Sequence, residues 1–305
     1  MPPEGMGFEE IKKYALKTEK LGFDLFTITD HFLNMQNPNG KEKCPLECWT
    51  TLAGLAAVTA RINLAPLVSC SNYRPPTLLA KMSTTIDIIS NGRFILGLGA
   101  GWLREEFESF IGRFPSAKER LDGLEDTAVI CREMFEKGIS NYQGKMYSAY
   151  HALNMPRPVR GYIPIMIGAQ GERRALKIAA KYADIIHITG FPTPNIAEHK
   201  IDVIRKFCYE VGRDFKELIL GIGVWVMPTE NRKWIIRHAE RVSKSKGIPK
   251  DAALKFARCS SGTKNITSLL KEFHDKGIDL FTLPGLNLEE IEKIAEEVLP
   301  AVVSQ

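Results

Sequence analysis

From position 8 to position 21, apolar residues recur at helical spacing. Phe8, Ile11, Tyr14, Ala15, Thr18 and Leu21 share one stripe, with lysines and glutamates opposite. The pattern predicts a helix that packs by one face and stops at Gly22, a residue suited to a helix C-terminus. The chain then runs into a short β-rich stretch, 24–29, that ends at the polar pair Asp30 and His31.

This alternation repeats. Apolar runs at 62–69, 93–99, 163–168, 184–189, 218–227 and 278–283 are separated by helical patterns, which makes seven predicted strands. Several are apolar at nearly every position, as parallel strands covered on both faces must be, and their connections are long enough for helical crossovers. The expected fold is α/β, a TIM-type (β/α)8 barrel lacking its first strand ahead of Pro2. An open dinucleotide-binding sheet would carry its glycine fingerprint after the first strand, and nothing there fits. The longest connection, 103–162, holds a helix near 117–137 and a Gly/Tyr/Pro-rich stretch, and reads as an insertion after the fourth strand of the barrel that shapes a pocket. Residues 1–305 are expected to form one domain.

Composition narrows the function classes. Hydrophobic residues make up 44% of the 305 and charged residues 25%, and no apolar run approaches the roughly 20 residues of a membrane span. No signal segment opens the sequence, so a cytoplasmic protein is expected. The net charge of +5 is modest, and lysines and arginines alternate with acids on helix faces, which argues against a nucleic-acid platform. Six scattered cysteines without a histidine cluster predict reduced thiols and no metal site.

The candidate chemistry collects at strand ends, where barrel enzymes keep their active sites. Asp30 and His31 suit proton transfer; a capping Asp with a surface His is the plainer alternative. Pro66 interrupts the run 62–69, signalling either a functional distortion or a simple bulge. The alternating glycines of Gly97-Leu98-Gly99-Ala100-Gly101 allow close approach of a planar ring or of another backbone. Trp102 follows as an aromatic wall, and one of Glu105 and Glu106 is expected to be functional. Gly168-Ala169-Gln170-Gly171-Glu172-Arg173 joins a strand to a helix expected to begin near Glu172; its exposed N–H groups and arginines suit a phosphate, with an ordinary βα loop as the alternative. His187 either faces the barrel interior or fills the core.

Together, the segments Phe26-Thr27-Ile28-Thr29-Asp30-His31-Phe32, Arg74-Pro75-Pro76-Thr77 and Asn91-Gly92-Arg93-Phe94-Ile95-Leu96-Gly97-Leu98-Gly99-Ala100-Gly101-Trp102 resemble the bacterial luciferase-like monooxygenase family. The likeness continues through Asn154-Met155-Pro156-Arg157-Pro158, the Gly168–Arg174 turn and Tyr182-Ala183-Asp184, and so covers nearly the whole chain. Within that family the sequence looks most like the branch that uses the deazaflavin coenzyme F420.

The resemblance implies that Asp30 and His31 lie beside the cofactor ring and that a non-proline cis peptide in the stretch Pro66, Leu67 and Ser69 supports it. Gly99 and Ala100 would border the ring. Gly168, Ala169, Gln170, Gly171, Glu172 and Arg173 would hold the cofactor phosphate, although Ala169 and Gln170 stand where the family is richer in glycine. Trp102 and His187 would line the space for a small-molecule substrate. The implied activity is F420-dependent hydride transfer, with His31 moving a proton. One alternative is an FMN-dependent monooxygenase using reduced flavin and oxygen; another is a non-catalytic flavin-binding protein. A homodimer is expected from the same likeness.

Overall fold

The computed structural model describes residues 1–3, 5–35, 40, 43–190 and 192–303. Along the chain the elements are α1 (Phe8–Lys20), β1 (Leu25–Ile28), α2 (Cys48–Val58), β2 (Asn63–Pro66), β3 (Ser69–Cys70), α3 (Pro76–Ile89) and β4 (Leu96–Gly99). The short α4 (Arg104–Glu106) runs into a π-helical turn, Phe107–Ile111, before α5 (Ala117–Glu136), β5 (Ile139–Ser140), β6 (Ala152–Leu153), β7 (Ile165–Ala169), α6 (Ala175–Tyr182) and β8 (Ile185–Ile188). There follow α7 (Pro194–Val211), β9 (Ile219–Gly223), α8 (Arg232–Lys246), α9 (Lys250–Cys259), α10 (Thr263–Asp275), β10 (Leu280–Thr282), α11 (Leu288–Glu297) and α12 (Leu299–Val303). Each of the seven apolar runs holds a strand.

Two compact units divide the chain. The larger comprises Glu4–His187 and Val203–Ile219; the smaller comprises Met1–Pro3, Ile188–Asp202 and Leu220–Gln305. Within the larger unit β1 pairs with β2 in parallel, and β3, β4 and β7 pair in parallel in that order. The predicted run 62–69 is split into β2, which ends at Pro66 opposite Ile28 of β1, and β3, which pairs with β4 instead. Beyond it the Leu67–Val68 peptide is cis and the Leu67 N–H donates to the Ile28 carbonyl at 2.8 Å.

Burial of Phe26, Trp49, Phe94, Phe107 and Phe135, all essentially inaccessible, fills the core, each side chain contributing roughly 1.5–3 kcal/mol. Arg93 fastens the end of α2 to the strand that follows it. Its guanidinium donates to the Ala56, Thr59 and Ile62 carbonyls at 3.1, 2.8 and 2.6 Å.

The segment between β4 and β7 is built on α5. Ser116 caps this helix with its hydroxyl while Glu119 reaches back to the Ser116 N–H. Asp126, buried on its inner side, accepts from the Met146 and Tyr147 N–H groups at 2.6 and 3.0 Å. Any Cβ at Gly144 would meet that carboxylate at 2.4 Å, so glycine is required at the contact. The β5–β6 ribbon is antiparallel.

One boundary differs from expectation. The helix predicted to begin near Glu172 begins at Ala175, because Arg174 takes a non-helical backbone while its guanidinium is drawn to Asp122 and Glu125 on α5. In the smaller unit β9 pairs with β10 in parallel, and α8 and α9 form a hairpin around Ala239, Val242, Ala253 and Ala257. Among the described residues no helix is long and apolar enough to cross a membrane, and no group of three metal-binding side chains occurs.

Candidate active site

Parallel strands put their C-terminal ends on one side, and three of those ends in the larger unit bring polar groups together. β1 delivers Asp30 and His31, the turn after β3 delivers Tyr73 and Arg74, and the segment after β4 delivers Trp102 and Glu106.

Asp30 is fully buried and its carboxylate is occupied. The Ser69 hydroxyl donates to it at 2.6 Å, and the Arg74 guanidinium grips both oxygens at 2.7 and 3.1 Å. Arg74 also donates to Glu47 at 2.6 Å and lies over the rings of Phe32 and Trp49. The Trp49 indole in turn donates to Ser69 at 3.2 Å. Asp30 is thus the centre of a buried polar network that fixes the end of β1.

His31 points the other way. Its Nδ1 is 2.9 Å from Oε2 of Glu106, and its ring meets Trp102 edge-on at 5.8 Å. Glu106 has no exposed side-chain surface, whereas Trp102 is 60% exposed. The Glu106 carboxylate also accepts from the Tyr73 hydroxyl at 2.6 Å and from the Phe32 and Leu33 N–H groups at 2.7 and 3.0 Å. Burial alone pushes this carboxyl up, but the bonds from His31, Tyr73 and the backbone outweigh it and hold Glu106 below the usual carboxylate range. Burial and the Glu106 bond push the Tyr73 phenol up, so it stays a donor.

The β4 glycines serve backbone approach. A Cβ at Gly97 would lie 1.9 Å from the Pro66 carbonyl oxygen, and one at Gly99 would lie 2.6 Å from Val68 Cγ2. Pro66 and Val68 therefore stand packed against β4, Ser69 pairs with Leu98 of that strand, and Ala100 follows half-buried. Gly101 has a φ of +78° and Cys70 Sγ where a Cβ would be, which sets the turn that carries Trp102 outward.

At the end of β7, Gly168 is half-buried and Ala169 buried, while Gln170, Gly171 and Arg173 are exposed. The backbone N–H groups of Gly171, Arg173 and Arg174 have no acceptor among the described residues. That donor set fits a phosphate, and the His31 and Trp102 rings fit the edge of a flat heterocycle. His187 is buried on β8 between Ile186 and Ile188.

Sequence reasoning named Asp30, His31, Ser69 and Trp102, which the structure brings together in these contacts. It missed Tyr73 and Arg74, and it left Glu106 undecided against Glu105. The buried position of Glu106 at the junction of α4 with the π-helical turn separates the two, and no spacing rule signals that junction.

Comparison with known proteins follows the same line. A family model described as luciferase-like monooxygenase matches residues 1–279. The chain is 33% identical over 221 residues to a pyrimidine monooxygenase RutA of Rhizobium rhizogenes, covering 70% of this chain and 59% of that protein, so it spans less than two thirds of the relative's length. Among solved structures, the coenzyme F420-dependent tetrahydromethanopterin reductase from Methanopyrus kandleri superposes with a TM-score of 0.80 at 20% identity, over 98% of this chain and 97% of the other. The oxygenating constituent of 3,6-diketocamphane monooxygenase from Pseudomonas putida, in complex with FMN, superposes with a TM-score of 0.71 at 15% identity, over 97% and 93%.

These likenesses establish the TIM-type barrel fold. They overturn the expectation of F420-dependent hydride transfer. The curated relatives that share 30–34% of positions are named monooxygenases, whereas the F420 reductase, at 20% identity, shares the fold alone.

Proposed function

The chain belongs to the luciferase-like monooxygenase family, and from that premise we propose that it is an FMN-dependent monooxygenase that uses reduced flavin and dioxygen to oxidise a small organic substrate. The observation that carries the reading is His31: held through Nδ1 by a buried carboxylate, it offers Nε2 beside the exposed Trp102 at the ends of the strands. When bound and reduced, FMN supplies the electrons with which one oxygen atom of O2 enters the substrate and the other leaves as water.

Each residue has a defined task in this reading. The N–H groups of Gly171, Arg173 and Arg174, with the Gly168-Ala169-Gln170 turn and Glu172 around them, hold the phosphate. Asp30, locked by Arg74 and Ser69, keeps the end of β1 in place so that His31 meets the ring edge, with Pro66, Leu67, Gly99 and Ala100 forming the floor. His31 moves a proton at Nε2. Trp102, His187 and the insertion 103–162 enclose the substrate within a single catalytic domain and exclude water. A pyrimidine is the first substrate to test, because the curated relatives carry that name.

The reading includes a cytoplasmic homodimer. All six cysteines are free, which suits a reducing compartment. The outer face of α3 leaves Leu78, Ile88 and Ile89 exposed next to Met155 and Val159, to which α3 is tied by Lys81 and Asp87. An apolar patch of this kind suits a second copy. Light scattering on a Leu78→Glu, Ile89→Glu variant should report a monomer.

The test of function is direct. FMN and F420 are each titrated and followed by absorbance; then the complex with reduced FMN is mixed with 18O2 and uracil or other small heterocycles. FMN binding with one 18O atom in a product supports the reading. FMN binding with no product from any substrate points to a non-catalytic flavin binder, and binding of neither cofactor removes the proposal.

A further inference from the structure

Four donors surround one carboxylate. Oε1 of Glu106 faces the Phe32 and Leu33 N–H groups, which can only donate; Oε2 faces the Tyr73 hydroxyl and the His31 ring. A carboxylate offers about four lone-pair positions, and all four are engaged. The Tyr73 ring is itself held between Phe32 and Phe107, with centroids 5.0 Å away on each side, so its hydroxyl cannot turn elsewhere. An ionised carboxylate accepts and never donates. The nitrogen of His31 that touches it must therefore carry a proton.

We propose that Glu106 is a positioning residue that sets the tautomer of His31, keeping the ring proton on Nδ1 so that the neutral imidazole presents a bare, proton-accepting Nε2 beside Trp102. The Nε2 atom has no partner among the described residues, in keeping with a group turned toward a reactant. Asp30, which adjoins His31 in sequence, cannot substitute: its oxygens are taken by Arg74 and Ser69. Two carboxylates thus divide the work at the end of β1, one anchoring the chain and one orienting the ring. Only the use of Nε2 as a base rests on the proposed monooxygenase function; the tautomer does not.

The test is spectroscopic and needs no turnover. Protein labelled with 15N-histidine is examined by long-range proton–nitrogen correlation at a pH where imidazole is neutral, and the His31 signals are identified by their loss in His31→Asn. The expected wild-type pattern is a pyrrole-type Nδ1 and a pyridine-type Nε2, with the bias of about tenfold or more that a hydrogen bond to a charged group supplies. Glu106→Gln, which can turn an NH2 toward the ring, should lose that bias. Tyr73→Phe leaves the carboxylate and should keep it.

A wild-type proton on Nε2 overturns the inference by itself. So does a bias unchanged in Glu106→Gln, or one lost equally in Tyr73→Phe, since general loosening would then be the cause. If the tautomer is as expected but no oxygenation is found with any substrate, the monooxygenase reading fails and the role of Glu106 stands.

Discussion

His31 Nδ1 lies 2.9 Å from Glu106 Oε2 across 75 positions of sequence, and the contact ties the end of one strand to the helix that follows another. With one ring nitrogen committed to the carboxylate, the other is the side-chain nitrogen of His31 left without a partner among the described residues.

His31→Asn therefore separates binding from turnover. The amide can still hydrogen-bond Glu106, so the loop is kept, but the group proposed to move the proton is gone. Turnover should fall by about 10²- to 10⁴-fold, the usual span for loss of a general acid or base, while FMN affinity from a fluorescence titration changes far less. Equal rates in the two proteins would remove His31 from the reaction.

Arg74→Met should damage stability first, and turnover only through the placement of His31. The substitution leaves the fully buried Asp30 carboxylate with Ser69 as its sole remaining donor among its described contacts. Breaking a buried pair from one side costs about 3–5 kcal/mol, because the charge left behind is unpaired. Urea denaturation should show a loss of that order, and Asp30→Asn combined with Arg74→Met should cost less than the two single losses together. A single-variant loss within ordinary surface effects would mean that Asp30 and Arg74 are not a buried pair in solution.

The two carboxylate networks also show how much the sequence could reveal. Strand ends are local events, marked where an apolar run meets Asp30-His31 or a glycine series, so the barrel and the ends of its strands were legible. What Asp30 and His31 touch is not local. Arg74 is 44 positions from Asp30, and Tyr73 is 33 from Glu106. Neither spacing has a helical or strand period, so only the fold brings them together. Glu105 and Glu106 are chemically identical and adjacent, and the short α4 decides which of them is buried. The helix after β7 started three residues late for a similar reason, a long-range pull by Asp122 and Glu125 on Arg174. The activity expected of the F420 branch was overturned by the named relatives and not by any residue, because a strand-end Asp-His pair and a phosphate turn are shared by both branches of the resemblance, and the sequence holds nothing local that distinguishes one flat ring from another.

The helical hairpin of the smaller unit carries a pH dependence of its own. His238 on α8 is 5% exposed, stacks on Trp234 at 4.5 Å and approaches Phe256, and its Nε2 has no hydrogen-bond partner among the described residues. Burial, with the nearby charge of Arg241, lowers its pKa from 6.5 to about 4. A histidine with a salt-bridge partner would shift upward; here the folded form resists protonation, so the sign reverses. Between pH 6.5 and 4 the unfolded chain binds the proton and the folded hairpin does not. Stability is complete above the unfolded value and declines as the pH falls through that window, by up to roughly 3 kcal/mol at its lower end. Carboxylates such as Glu106 add a loss of the same sign further into acid, so the informative quantity is the difference between wild type and His238→Phe. Urea unfolding at pH 7.5, 6 and 5 should show that difference shrinking or reversing in favour of the variant as the pH drops. A constant difference across the three values would mean that His238 is hydrated or titrates normally, and that the hairpin core is open to water.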